Sequence, residues 1–167
     1  MIYVLIGISL IFIFSSLNSD QLYKYSIFLF FISLISLFLV PFVGVEVKGS
    51  KRWIDLFFLP RFQPIEVLKP FLVIILAIIL CDIRSNILFK YLISIILISI
   101  ISLLLIAQPD IGQTLLVVFC WAALIFTSGI NIYVLLATFI VGSSFLAYLI
   151  IYVPRFDYIQ GRIFSFF

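Results

Sequence analysis

Apolar runs almost free of charge recur along this chain, each long enough to cross a bilayer as a helix. About 20 residues of α-helix span the roughly 30 Å of hydrocarbon. Six runs are span candidates: Met1 to about Leu17, about Tyr25 to Val45, about Glu66 to Cys81 (short, with Lys69 in its first turn), about Leu88 to Ala107, about Ile111 to Thr127, and about Ile132 to Val153. Spanning strands are not expected, because the runs are too long, lack polar alternation, and an open sheet cannot satisfy its edges in lipid. The chain is 66% hydrophobic and 10% charged, whereas a soluble domain carries about a quarter charged residues. No soluble interior could hide so much apolar surface, which excludes a cytosolic or secreted enzyme.

The expected fold is therefore all-α, a polytopic transmembrane helix bundle forming a single membrane domain over 1–167. No internal repeat or second domain is visible. The chain has no histidine, so imidazole acid–base chemistry and histidine metal ligation are ruled out. Cys81 and Cys120 lie inside apolar runs and read as small hydrophobes rather than a disulfide or metal site. The N-terminus has no basic region or small-residue cleavage site of the signal-peptide kind. No cofactor is evident, a divalent cation is left open, and nothing points to nucleic acid.

Two helix starts follow from local chemistry. Pro64 suits a first helical position, where its missing N–H would be unpaired anyway. Glu66 then falls in the first turn, near the positive end of the helix dipole, with Lys69 at i+3 on the same face. In QPDIGQT, Asp110 is a natural N-cap and Gln113 is placed to close a capping box.

Alternating spans sort the ten basic residues unevenly. Lys24, Arg84 and Lys90 fall on one side; Lys48, Lys51, Arg52, Arg61, Lys69, Arg155 and Arg162 fall on the other. The positive-inside rule would put the second set in the cytoplasm. Most of that set crowds into the connection Gly44–Lys69, interleaved with Trp53, Phe57, Phe58 and Phe62. Two readings stand side by side. In one, the segment is an interfacial loop, with aromatics at headgroup level and Lys48, Lys51 and Arg61 snorkelling to phosphates. In the other, it is a pocket for an anionic lipid headgroup, in which Arg52 and Trp53 clamp phosphate and stack on a ring. Lys69 lies just inside an apolar run, where an unpaired ammonium is costly. Glu66 is its obvious partner, and a structural ion pair and a ligand-facing role are both open. Asp110 reads as a helix cap before a catalyst, and Trp121 as a packing or lipid-facing residue.

The stretch VGVEVKGSKRWIDLFFLPRFQPIEVLK resembles the SEDS proteins, the RodA and FtsW group. Their pattern here is G-x-x-x-x-G-A-x-R-W-I followed by F-Q-P-S-E-x-x-K. Gly49, Arg52, Trp53, Ile54, Phe62, Gln63, Pro64, Glu66 and Lys69 match it. A second block, LLLIAQPDIGQTLLVVFCWAALIFTSGI, is similar to the family's Q-P-D-x-G segment through Gln108, Pro109, Asp110 and Gly112. Ser50 and Ile65 depart from the family's alanine and serine. The form of both blocks is more similar to the division branch, FtsW, than to the elongation branch, RodA. The resemblance covers nearly the whole chain but only about six of the family's ten or so spans. RFDYIQGRIFSFF, including Arg162, resembles the start of the family's large extracytoplasmic loop. The aspartate thought to be catalytic in the family would lie beyond Phe167.

The resemblance implies a peptidoglycan glycosyltransferase of the bacterial cytoplasmic (inner) membrane, multi-pass, acting in cell division on lipid II. Its partners would be a class B penicillin-binding protein and other division proteins. It places the connection at about 44–65 outside the cytoplasm, against the positive-inside rule, where a pyrophosphate substrate would account for the charge. Arg52, Trp53, Glu66 and Lys69 are the substrate-binding candidates. Gly49, Gln63, Pro64, Gln108, Asp110 and Arg162 are the structural or cavity candidates. No catalytic base is expected in this chain, and the 167 residues alone are expected to be inactive. The alternative is a non-enzymatic flippase for a lipid-linked precursor or a division scaffold. A transporter would call for paired broken helices, which the sequence does not show.

Overall fold

The computed structural model describes residues 2–47, 50–56, 59–82, 86–129 and 131–152. Lys48, Gly49, Phe57, Phe58, Arg84, Arg155 and Arg162 lie outside the described residues. The apolar runs form six helices: α1 Ile2–Ser15, α2 Ser19–Val43, α3 Pro64–Cys81, α4 Ile87–Ala107, α5 Ile111–Thr127 and α6 Ile132–Tyr152. Among the described residues, α2, α3 and α4 are long and apolar enough to cross a membrane. The 17 residues of α5 are apolar and sit at the short end of the spanning range.

Helix α2 begins well before the expected Tyr25. Asn18 is its N-cap, and the Asn18 N–H donates to Gln21 Oε1 at 3.3 Å. Asp20 in the first turn suits the positive end of the dipole. Hydropathy marks where a helix enters lipid; capping decides where it starts.

The apolar runs are helical as expected, but the connection between α2 and α3 is more than the interfacial loop read from the sequence. It is a small antiparallel sheet, with β1 Val45–Val47, β2 Ser50–Leu56 and β3 Leu59–Phe62 in the order β1-β2-β3. Valine, tryptophan and isoleucine favour a pleated, half-buried surface, and outside the hydrocarbon a sheet edge can be solvated. Glu46 faces Lys51 across β1 and β2, an opposite-charge pair. Val45 pairs with Trp53 while Glu46 pairs with Lys51, so Arg52 is the extra, unpaired residue of a β-bulge. Bulges re-aim side chains, and this one carries the arginine.

Each of the helices α2 to α5 buries one stripe. Ser26, Phe30, Ser33, Leu37 and Val40 line it on α2; Ile65, Leu68, Leu72, Leu76 and Leu80 on α3. Tyr91, Ser94, Ile98, Ile101 and Leu105 do so on α4, and Thr114, Val117, Trp121 and Ile125 on α5. Steps of three and four put each set on one helical face. Small serines let helices approach closely where lipid supplies no hydrophobic drive. Helix α3 is central and packs on α2, α4 and α5. Trp121 is a packing residue: it is 4% exposed, and its Nε1–H donates to Ser94 Oγ at 3.2 Å. The outward faces stay apolar, as at Phe28, Phe31, Phe38 and Phe42 on α2, which suits lipid as the solvent.

Candidate functional site

The turn from α4 into α5 is built around a buried carboxylate. Asp110 is 6% exposed and caps α5, its Oδ1 accepting from the Gln113 N–H at 3.5 Å. Gln63, just ahead of α3, donates from Nε2 to Asp110 Oδ2 at 2.9 Å. Arg52 arrives from the bulge in β2, with Nη1 3.5 Å from Asp110 Oδ1. Its Nε–H donates to Gln108 O at 3.3 Å, and Nη2 donates to Pro109 O. Those carbonyls lie at the negative end of α4, where a cation is stabilising. Both oxygens of Asp110 thus have donors, the condition under which a buried charge is tolerable. Gln108, 3% exposed, turns the other way, and its Nε2 donates to Leu37 O of α2 at 3.0 Å.

One turn into α3, Lys69 Nζ lies 2.6 Å from Glu66 Oε2. Gln113 bridges to both: its Nε2 donates to Glu66 Oε1 at 2.8 Å, and its Oε1 accepts from Lys69 Nζ at 3.2 Å. The expected capping box at Asp110 is therefore only half formed. The Asp110 N–H is already given to Leu105 O at 3.0 Å, which leaves the Gln113 side chain to cross to α3.

The structure thus joins Arg52, Gln63, Glu66, Lys69, Gln108 and Asp110 in one polar network. Pro64 is buried and opens α3 at its first position, as its missing N–H favours. Trp53 is half-buried and tied to Val45 through the strand pairing. Among the described residues, no hydrogen bond links its ring to the network. Gly49 and Arg162 lie outside the described residues. Arg61 forms a separate exposed pair with Asp55 at 2.9 Å, of the kind that contributes little. The residue that sequence reasoning placed wrongly is Gln113. Its position after Asp110 signalled a local cap, and no spacing rule pairs it with residues so far back in the chain.

Chemically, the cluster sets two cations, Arg52 and Lys69, against two carboxylates, Asp110 and Glu66. An ammonium has three N–H donors, and Glu66 and Gln113 take two of those on Lys69. Among the described residues, no group of three His, Cys, Asp or Glu side chains comes together to hold a metal.

The family model described as "Cell cycle protein", covering FtsW, RodA and SpoVE, matches residues 1–167. The chain belongs to the SEDS family. A Haemophilus influenzae protein named probable peptidoglycan glycosyltransferase FtsW is 31% identical over 156 residues, which are 90% of this chain and 39% of that protein. A Tolumonas auensis protein of the same name is 34% identical, over 71% of this chain and 31% of its own length. The chain therefore spans well under half of these SEDS relatives, and they carry the FtsW name that the two sequence blocks favoured. Among solved structures, the Thermus thermophilus rod shape determining protein RodA aligns with a TM-score of 0.70 at 32% identity, over 79% of this chain and 44% of that one. A chain from a peptidoglycan synthase complex aligns with a TM-score of 0.76 at 27% identity, over 92% of this chain and 46% of its own. These neighbours agree with a multi-pass SEDS membrane fold.

Proposed function

We propose that the protein takes part in peptidoglycan glycosyl transfer, polymerising lipid II into glycan strands at the division site of the bacterial cytoplasmic membrane. A class B penicillin-binding protein would work beside it and cross-link the product. The observation that carries this reading is the single network around Lys69. It draws together residues of both sequence blocks that resemble the SEDS pattern, and relatives of this chain are named probable peptidoglycan glycosyltransferase.

In the reaction, a sugar 4-hydroxyl attacks the anomeric carbon of a lipid-linked sugar. A new carbon–oxygen bond forms, the bond to pyrophosphate breaks, and the electron pair leaves with the pyrophosphate. The hydroxyl proton passes to a base. Charge developing on the leaving group is best met by preorganised cations. Lys69 supplies a spare donor for it. Arg52 is held to the turn by three groups, so its part is to fix the frame and add positive charge. Glu66 and Asp110 are both engaged by donors, which suits neither to act as the base.

The test is synthesis of glycan strands from purified lipid II, in proteoliposomes with the class B partner, by a complete SEDS protein that carries these 167 residues, since the 167 residues alone should form none. Strands that depend on the protein support the reading. Lipid II crossing the bilayer with no strand formed would contradict it and favour a flippase.

A further inference from the structure

The side chain of Gln113 touches both members of the ion pair on α3, with its two amide atoms in opposite roles. Its oxygen accepts from Lys69 Nζ at 3.2 Å, and its nitrogen donates to Glu66 Oε1 at 2.8 Å. Its main-chain N–H is turned to Asp110 Oδ1 at 3.5 Å, so the amide is presented from a fixed helix start. Glu66 Oε2 meets Lys69 at 2.6 Å. The three side chains close a ring of contacts in which every charge has a neutral second partner.

We infer that Gln113 is a positioning residue for phosphate binding: it aims the remaining Lys69 N–H outward and supports Glu66 when Lys69 turns to an anionic ligand. The inference rests on the proposed lipid-pyrophosphate chemistry. An ammonium held by a carboxylate alone must give that carboxylate up in order to serve another anion; Glu66 is half exposed, so water meets part of that loss and a standing hydrogen-bond donor meets more of it. With Gln113 present, Glu66 keeps the donor on Oε1 throughout. The amide also tethers Lys69 without competing for it as a second carboxylate would. A leucine of similar size gives neither contact, and a glutamate keeps the acceptor but loses the donor.

The test is equilibrium binding of undecaprenyl pyrophosphate to the protein in nanodiscs, with undecaprenol as the uncharged control. The wild type should prefer the pyrophosphate. Gln113→Leu should weaken pyrophosphate binding about tenfold, the scale of a hydrogen bond to a charged group, and leave undecaprenol binding and Tm unchanged. Gln113→Glu should weaken it at least as much, and it serves as the test where Gln113→Leu does not fold. Lys69→Met with Gln113→Leu should bind no worse than Lys69→Met alone, because Gln113 acts through Lys69. A purely structural role would lower Tm, weaken both ligands alike and add to Lys69→Met, and that outcome overturns the inference. So does unchanged pyrophosphate binding in both Gln113 variants while Lys69→Met loses it, which leaves the functional reading standing. A wild type that does not distinguish the two ligands contradicts the functional reading and this inference together.

Discussion

Gln108 Nε2 donates to Leu37 O at 3.0 Å, and Leu37 stands four residues before Pro41 inside α2. In a regular helix the residue at 41 would give its N–H to that carbonyl. Proline has none, and an unpaired carbonyl is costly where water is absent. The α4–α5 turn thus mends the break that Pro41 leaves in α2, and in doing so it fixes where the turn sits against the sheet.

Gln108→Leu should therefore destabilise the protein by about 1–3 kcal/mol, the cost of a buried acceptor left alone. Equilibrium unfolding in detergent measures it. In a Pro41→Ala background the same change should cost less, because alanine restores the helical N–H donor. Equal costs in both backgrounds would show that Gln108 is not compensating for Pro41.

Removing Arg52 should be more damaging than removing an ordinary half-exposed arginine. Arg52→Ala takes a partner from a buried carboxylate, and such losses cost about 3–5 kcal/mol where burial is complete. Arg52 is partly exposed, its side chain 29% accessible, so a loss nearer ~2 kcal/mol is expected after solvent screening. Adding Asp110→Asn should recover part of it. Arg52→Lys keeps the charge but not the fork of donors, and should fall between. Unfolding curves of the wild type and these variants check the order.

Arg61→Ala should change stability by less than about 0.5 kcal/mol, since its pair with Asp55 is exposed on both sides. A larger loss in the same unfolding assay would mean that the outer strand β3 relies on that pair.

Much of this was legible in the sequence because lipid is a demanding solvent. Uninterrupted apolar runs place the helices, and α5 begins and ends where the turn residues Asp110 and Ser128 put it. Pro64 and Asp110 mark helix starts because a missing or satisfied N–H is a local matter. The sheet was not legible, since its strands are short and a charge-rich connection reads as an interfacial loop. The bulge at Arg52 needs the strand register, which sequence alone does not give. Gln113 was misread for a related reason: its local signal was real, but Leu105 O had already taken the N–H that a capping box would use.

Lys69 is proposed to hold the lipid pyrophosphate while Glu66 and Gln113 hold Lys69. The rate of glycan-strand synthesis from lipid II by a complete SEDS protein that carries these residues with Lys69→Ala, with its class B partner and at wild-type membrane abundance, bears on this without intermediates. A loss of at least about tenfold in rate is expected, the scale of one charge-assisted contact, with Tm little changed. Strand synthesis at the wild-type rate would show that Lys69 does not hold the pyrophosphate.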